Sequence, residues 1–200
     1  MSTRRLSNKD YLELYLAGSS DSVGKVLLPH ESEAVEKAVE KQRNAYNEVI
    51  EQKKSVSGGD DWHDGAFVAT DNEAKIIGQQ MSAISPYIGA VVVDYPDTEE
   101  TRASIGSRVL VNQDGYSFPV DVVGFKPGYP EGVTSEEFED EVTGISPDSP
   151  LAGSILGKKV GFEGAFHNAG SDIKVKIERI DQSAIKQYFM REVQVIERED

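Results

Sequence analysis

The sequence predicts an α+β protein built as an antiparallel helical hairpin followed by a small, mostly antiparallel β-sheet domain. Three observations carry this. Two stretches, over residues 31–57 and 67–88, repeat apolar side chains at alternating steps of three and four. A short break rich in glycine and aspartate separates them. From Ala90 onward the helical period gives way to short β-branched runs divided by turn signals.

In the first helical stretch Val35, Val39, Gln42, Tyr46, Val49, Lys53 and Val56 form one seam, with Gln42 and Lys53 as its polar members. Glutamate and lysine fill the other faces, and neither glycine nor proline interrupts residues 31–57. Phe67, Thr70, Ala74, Ile77, Met81, Ile84 and Ile88 form the second seam. Ser85-Pro86 should end that helix, because proline lacks the N–H and clashes with the preceding turn. Two such helices joined by a short turn stabilise each other by packing seam on seam, as a coiled coil.

The break between them, Gly58 to Phe67, reads GGDDWHDGAF. It holds the only tryptophan of the chain, one of its three histidines and three aspartates. Aspartates ahead of a helix commonly cap it and favour its dipole. If Asp61 lies in the first turn of the second helix, Asp61 and Asp64 share one side of it. If Asp60 is the cap, both are left free. Trp62 either packs the turn against Val56 or Phe67 or offers a stacking surface to a partner. His63 is either solvated or placed to move a proton or meet a phosphate. Lys37, Lys41, Arg43, Lys53 and Lys54 on the first helix either form a basic patch or pair with neighbouring glutamates.

In the second part, strands are expected at 90–94, 105–111, 117–123, 160–166 and 173–180, with a turn at Asn112-Gln113-Asp114-Gly115 and a long loop over 126–141. A short helix is expected at 151–156, with Ser149 as N-cap and Pro150 at its first position. The chain thus divides into an N-terminal extension (1–30, with a short helix around Tyr11–Leu16), the hairpin (31–88, its acidic tip at 59–67), the sheet domain (89–181), and a tail (182–200). The tail has helical spacing at Ile185, Tyr188, Phe189, Val193 and Ile196.

Composition bounds the function. The 200 residues are 38% hydrophobic and 28% charged, with no cysteine and a formal net charge of −14. There is no apolar run of the roughly 20 residues that span a membrane. No apolar stretch follows Arg4 and Arg5, so no signal peptide is expected. A cytoplasmic, membrane-independent protein is the expectation. A surface this acidic is repelled by free nucleic acid, so any work near nucleic acid has to pass through a protein partner.

Three segments carry a resemblance to a known family. Ile145-Ser146-Pro147-Asp148-Ser149-Pro150-Leu151-Ala152-Gly153-Ser154-Ile155-Leu156-Gly157-Lys158-Lys159-Val160-Gly161 is similar to a segment of the Gre family of bacterial transcript cleavage factors. The family pattern there is I-S-x-x-S-P-[IL]-[AG]-x-[AG]-[IL]-[IL]-G-K-x-x-G. The tip resembles the family's G-D-x-x-E-N-A-E-Y, with Asp61 and Asp64 at the two acidic positions and Asp60 inserted. Ile105-Gly106-Ser107-Arg108-Val109 resembles its F-G-S-x-V strand. The likeness covers roughly residues 31–180. The second acid is aspartate rather than glutamate, and Gly65-Ala66-Phe67-Val68 replaces Asn-Ala-Glu-Tyr.

The resemblance implies an FKBP-like sheet domain that binds RNA polymerase at the rim of its secondary channel, with Ser149, Pro150 and Leu151 at the contact. It implies a hairpin inserted through that channel, meeting the nascent RNA 3′ end only inside the polymerase complex. Asp61 and Asp64 would help hold a Mg²⁺ shared with polymerase, with Asp60 and His63 auxiliary and Trp62 as a contact. The protein would be a monomer without activity of its own, stimulating RNA hydrolysis by polymerase. Two other readings follow from the same likeness. An inhibitor that plugs the channel is suggested by the third acid, Asp60. A peptidyl-prolyl isomerase is suggested by the FKBP-like domain, but such pockets are usually floored by tryptophan and the only one here lies at the hairpin tip.

Overall fold

A computed structural model describes residues 4–19, 24–56, 65–130, 133–135 and 138–190. The chain falls into two compact units, residues 1–31 with 89–200, and residues 32–88. The α+β class holds, and the first unit differs from the expected sheet domain in two ways.

The first difference is at the N-terminus. Residues 1–30 do not stand apart as an extension. They supply β1 (Arg5–Leu6), α1 (Asn8–Leu16) and β2 (Val26–Leu27) to the first unit. β1 and β2 flank β3 (Val91–Val93), both in parallel, giving a three-stranded sheet in the order β1-β3-β2. All three valines of β3 are buried, as a continuous apolar run in the centre of a parallel sheet should be. Strands of two residues leave no periodicity in the sequence, which is why only the central one was legible.

Helix α1 begins at Ser7, whose Oγ accepts from the Asp10 N–H at 3.1 Å and donates to the Asp10 carboxylate at 2.7 Å. It stops where Gly18 takes φ +68°.

The second difference lies in the main sheet, which has five strands in the order β8-β5-β4-β10-β9. These are β4 (Arg108–Gln113), β5 (Tyr116–Val122), β8 (Thr143–Ile145), β9 (Glu163–Asn168) and β10 (Ser171–Asp181). All neighbours are antiparallel except β5 and β8, which run parallel. The first strand starts at Arg108 rather than 105. Gly106 has φ +89°, and a Cβ there would lie 2.7 Å from Pro96 Cδ, so Ile105-Gly106-Ser107 turns instead of extending.

The β4–β5 hairpin closes through Asp114 and Gly115, both with positive φ, as a two-residue primed turn requires. The expected long loop contains a two-stranded ribbon, β6 (Thr134–Ser135) with β7 (Phe138–Glu141). A short helix, α4 (Pro150–Ile155), covers one face of the main sheet. Residues 184–190 form a helix, α5, the described part of the expected tail helix.

Two apolar clusters fill this unit. One joins Val109, Val111, Val120, Val122, Val175 and Ile177 of the main sheet to Ala152, Ile155 and Leu156 at α4. The other joins Val26, Leu28, Val91, Val93, Ile105 and Val123 to Ile185 of α5 and Tyr11 of α1.

Between strands β4 and β5, Asp121 is 1% exposed and accepts from Arg108 Nε at 2.7 Å, Arg108 Nη2 at 2.9 Å and Tyr129 Oη at 2.8 Å. Burial, with Asp121 alongside, pushes the Tyr129 phenol well above its usual range. Truncating this carboxylate strands a half-buried guanidinium and a phenol. Asp121→Ala should therefore cost about 3–5 kcal/mol and lower the melting temperature by roughly 10 °C. A shift of only a degree or two in a thermal melt would show that water replaces the carboxylate without penalty.

The second unit consists of α2 (Pro29–Val56) from Ser32 onward and α3 (Gly65–Ile84). The seams are visible in the burial. Val35 and Val49 of α2 and Thr70, Ile77 and Ile84 of α3 are buried, with Val39, Gln42, Ala74 and Met81 half-buried. Tyr46 departs from its seam and is exposed, with Ala45 taking the inner place. α3 ends at Ile84 in a 3₁₀ turn over Ser85–Tyr87 carrying Pro86, so Ile88 lies beyond the helix and is exposed. Lys53 of α2 binds Asp71 of α3 at 2.9 Å, and Lys75 takes the other Asp71 oxygen at 2.8 Å.

Candidate functional site

The hairpin tip lies outside the described residues. Asp60, Asp61, Trp62, His63 and Asp64 all fall there. What is described is the helical frame on either side. Asp71, two turns into α3, is clamped between Lys53 and Lys75, which hold its carboxyl down to about 2. Lys54 pairs with Glu51 and Lys37 with Glu33. Three of the five basic residues singled out on α2 thus engage neighbouring carboxylates.

The second candidate region, Ser149-Pro150-Leu151, is fully described. Ser149 caps α4, its Oγ accepting from the Ala152 N–H at 3.2 Å, and Pro150 occupies the first turn. Pro150 is exposed, whereas Leu151 is half-buried against the main-sheet cluster. The helix turns Ala152, Ile155 and Leu156 inward and leaves Pro150 and Ser154 on the opposite side.

The N-terminal segment runs along one flank of this helix. Lys25 pairs with Asp148 just before α4. Tyr15 brings its hydroxyl to 3.8 Å from where a Cβ of Gly153 would stand, and Leu16 sits 2.5 Å from where one of Gly157 would stand. Tyr11, Tyr15, Gly24, Lys25, Pro147 and Asp148 line a cleft beside it. Sequence reasoning missed this flank, because nothing in residues 1–30 signals a long-range partner.

A third cluster sits where α2 begins. Glu31 is buried, and its carboxylate accepts from the backbone N–H groups of Leu28 at 2.6 Å, Gly124 at 3.1 Å and Phe125 at 3.0 Å. Burial nevertheless pushes it up to about 7, the three N–H groups acting in the opposite direction. Next to it, His30 stacks on Phe189 of α5 with ring centroids 3.7 Å apart, and its Nδ1 lies 2.6 Å from Tyr95 Oη. Burial lowers that imidazole to about 4. Among the described residues, no group of three or more His, Cys, Asp or Glu side chains is arranged to hold a metal ion.

Known proteins place the chain. A transcription elongation factor GreA of Oceanobacillus iheyensis is 28% identical over 138 residues, covering 67% of this chain and 81% of its own length. The chain is similar to the GreA transcription elongation factors at modest identity. GreA of Geobacillus kaustophilus matches at 28% over 134 residues, covering 78% of its length. No protein-family model matches. Among solved structures, GreA factor homolog 1 of Thermus thermophilus aligns over 78% of this chain and 98% of its own at 19% identity, with a TM-score of 0.35. GreA/GreB from Nitrosomonas europaea aligns at 21% identity and a TM-score of 0.29. The relationship to GreA rests on sequence, and it agrees with the resemblance carried by the α4 segment. No described helix is long and apolar enough to cross a membrane.

Proposed function

We propose that this GreA relative is a transcription elongation factor that binds RNA polymerase at its secondary channel and stimulates cleavage of backtracked RNA by the polymerase itself. The observation that carries this reading is the match to GreA over four-fifths of that protein's length. The acidity of the chain supports a protein partner over bare nucleic acid. The face around Ser149, Pro150 and Leu151 meets the polymerase rim, and the α2–α3 pair, an antiparallel coiled coil, carries the tip inward.

At the tip, Asp61 and Asp64 offer hard oxygen donors of the kind Mg²⁺ accepts, and they would hold it only together with groups of the polymerase. When bound, that ion would lower the pKa of a coordinated water and steady charge on the cleaved phosphodiester. Asp60 would add negative charge, His63 would move a proton or meet a phosphate, and Trp62 would serve as a contact with the channel. The protein needs no activity of its own.

The inhibitor reading is kept by one observation, the third aspartate at the tip. Adding the full chain to a defined backtracked elongation complex in Mg²⁺ separates the two. The expected result is release of the RNA 3′ fragment and restored extension. Slowed nucleotide addition without cleavage would replace the activator with a channel plug.

A further inference from the structure

We propose that the cleft between α1 and the turn leading into α4 is a binding site for a small zwitterion of the size of a free α-amino acid. The cleft has a volume of about 290 Å³, and Tyr11, Tyr15, Lys25, Val26, Pro147 and Asp148 line it. That volume is near the lower end of the range in which proteins bury small ligands, so it admits a molecule with one short side chain and not a nucleotide.

The residue that points to a ligand is Tyr11. It is 3% exposed and belongs to the apolar cluster around Val26 and Ile185. Among the described residues its hydroxyl has no hydrogen-bond partner. A phenylalanine would fill the same space without stranding a polar group, so a tyrosine here implies something in the cleft that meets the hydroxyl. Tyr15, its ring centroid 6.4 Å away, lines the same cleft, and its hydroxyl is likewise without a partner among the described residues. Burial raises both phenols above their usual range. Tyr15 adds to the shift of Tyr11, and Asp148 adds to both, so the two hydroxyls keep their protons at neutral pH and can donate them in hydrogen bonds.

The charges decide the class of ligand. Lys25 and Asp148 pair at the rim, with side chains 41% and 68% exposed. An ion pair so exposed holds its partners weakly and opens at little cost. A bare anion would face the Asp148 carboxylate, and a bare cation the Lys25 ammonium. A zwitterion satisfies both. Its carboxylate accepts from Lys25 and from a tyrosine hydroxyl, its ammonium donates to Asp148, and its short side chain lies against Val26, Pro147 and the phenol rings.

The test is titration calorimetry of the full chain with each of the standard free α-amino acids, beside butyrate and butylamine as probes carrying one charge each. The expected result is that at least one amino acid binds with a Kd at or below about 1 mM, and that both single-charge probes bind at least about tenfold more weakly. Asp148→Asn and Lys25→Met should each weaken that binding about tenfold, and Tyr11→Phe about fivefold. Thermal melts without ligand should leave Tyr11→Phe as stable as the wild type, which keeps the test open if a charge variant fails to fold. No binding by any amino acid overturns the site, and so does binding that every variant retains. Equal binding of butyrate or butylamine overturns the zwitterion. A Tyr11→Phe protein that melts well below the wild type without ligand shows the hydroxyl to be a structural partner, which also overturns the proposal.

Discussion

The Asp61→Ala/Asp64→Ala double variant is expected to bind RNA polymerase as the wild type does and to lose about 100-fold or more in stimulated RNA cleavage. Under the proposed function the two carboxylates are the main donors this chain would bring to a shared Mg²⁺. Such a pair binds the ion weakly by itself, so removing both leaves the polymerase groups with an incomplete second site. Docking would run through the α4 face and the hairpin shaft, which the substitutions do not touch. The discriminating measurement is cleavage in a defined backtracked complex with binding followed in parallel. Equal loss of binding and cleavage would move the tip acids from metal chemistry to docking. Unchanged cleavage would remove them from the site. His63→Ala, measured beside it, reports separately on proton or phosphate contact.

A large stability effect is also expected at Glu31. Its carboxylate is the acceptor for three backbone N–H groups, from Leu28, Gly124 and Phe125. Glu31→Ala leaves these buried donors without a partner, at a cost of about 3 kcal/mol or more. The site has no slack for rearrangement, since a Cβ on Gly124 would stand 2.2 Å from the Val26 carbonyl oxygen.

The pH dependence has a defined sign. The Glu31 carboxyl is raised from 4.5 to about 7, so the folded state holds the proton more tightly than the unfolded chain. Its contribution is fully present below about 4.5 and falls as pH rises toward 7. His30 is lowered from 6.5 to about 4, so its contribution is present above 6.5 and is lost as pH falls toward 4. Each amounts to about 3 kcal/mol, and the two oppose each other between pH 4.5 and 6.5. The wild type should therefore show little slope from this pair in that window. Glu31→Gln removes one side of the balance, and its stability should climb by about 3 kcal/mol between pH 4 and 6.5. Denaturant melts across that range check it. A Glu31→Gln profile parallel to the wild type would mean the two groups do not titrate as their burial dictates.

Periodicity along the chain was enough to determine the long elements. Val35, Val49, Thr70, Ile77 and Ile84 are buried at the positions their three-and-four spacing assigns. Pro86 ends α3 at the expected place, and Ser149-Pro150 starts α4 as its residue types require. Asp114-Gly115 closes its hairpin because aspartate followed by glycine takes positive φ twice in succession at little cost. The similarity to GreA was visible in the sequence only as a resemblance to the Gre family's motif over residues 145–161.

What only the tertiary structure decided are the pairings that local pattern does not encode. β1 and β2 are two residues long and exist because β3 lies between them. Residues 1–30 therefore read as an extension, although Tyr11, Leu12, Val26, Leu27 and Leu28 pack as core. Glu31 reads as one more solvent-facing glutamate of a charged helix, yet it is buried because the 124–125 backbone closes over it. Leu16, Tyr15 and Lys25 meet residues 148–157 across more than a hundred residues of sequence, and Leu16 lies only 2.5 Å from where a Cβ of Gly157 would stand. Local spacing reports the face that a segment buries. Which distant segment buries it depends on how the chain closes on itself.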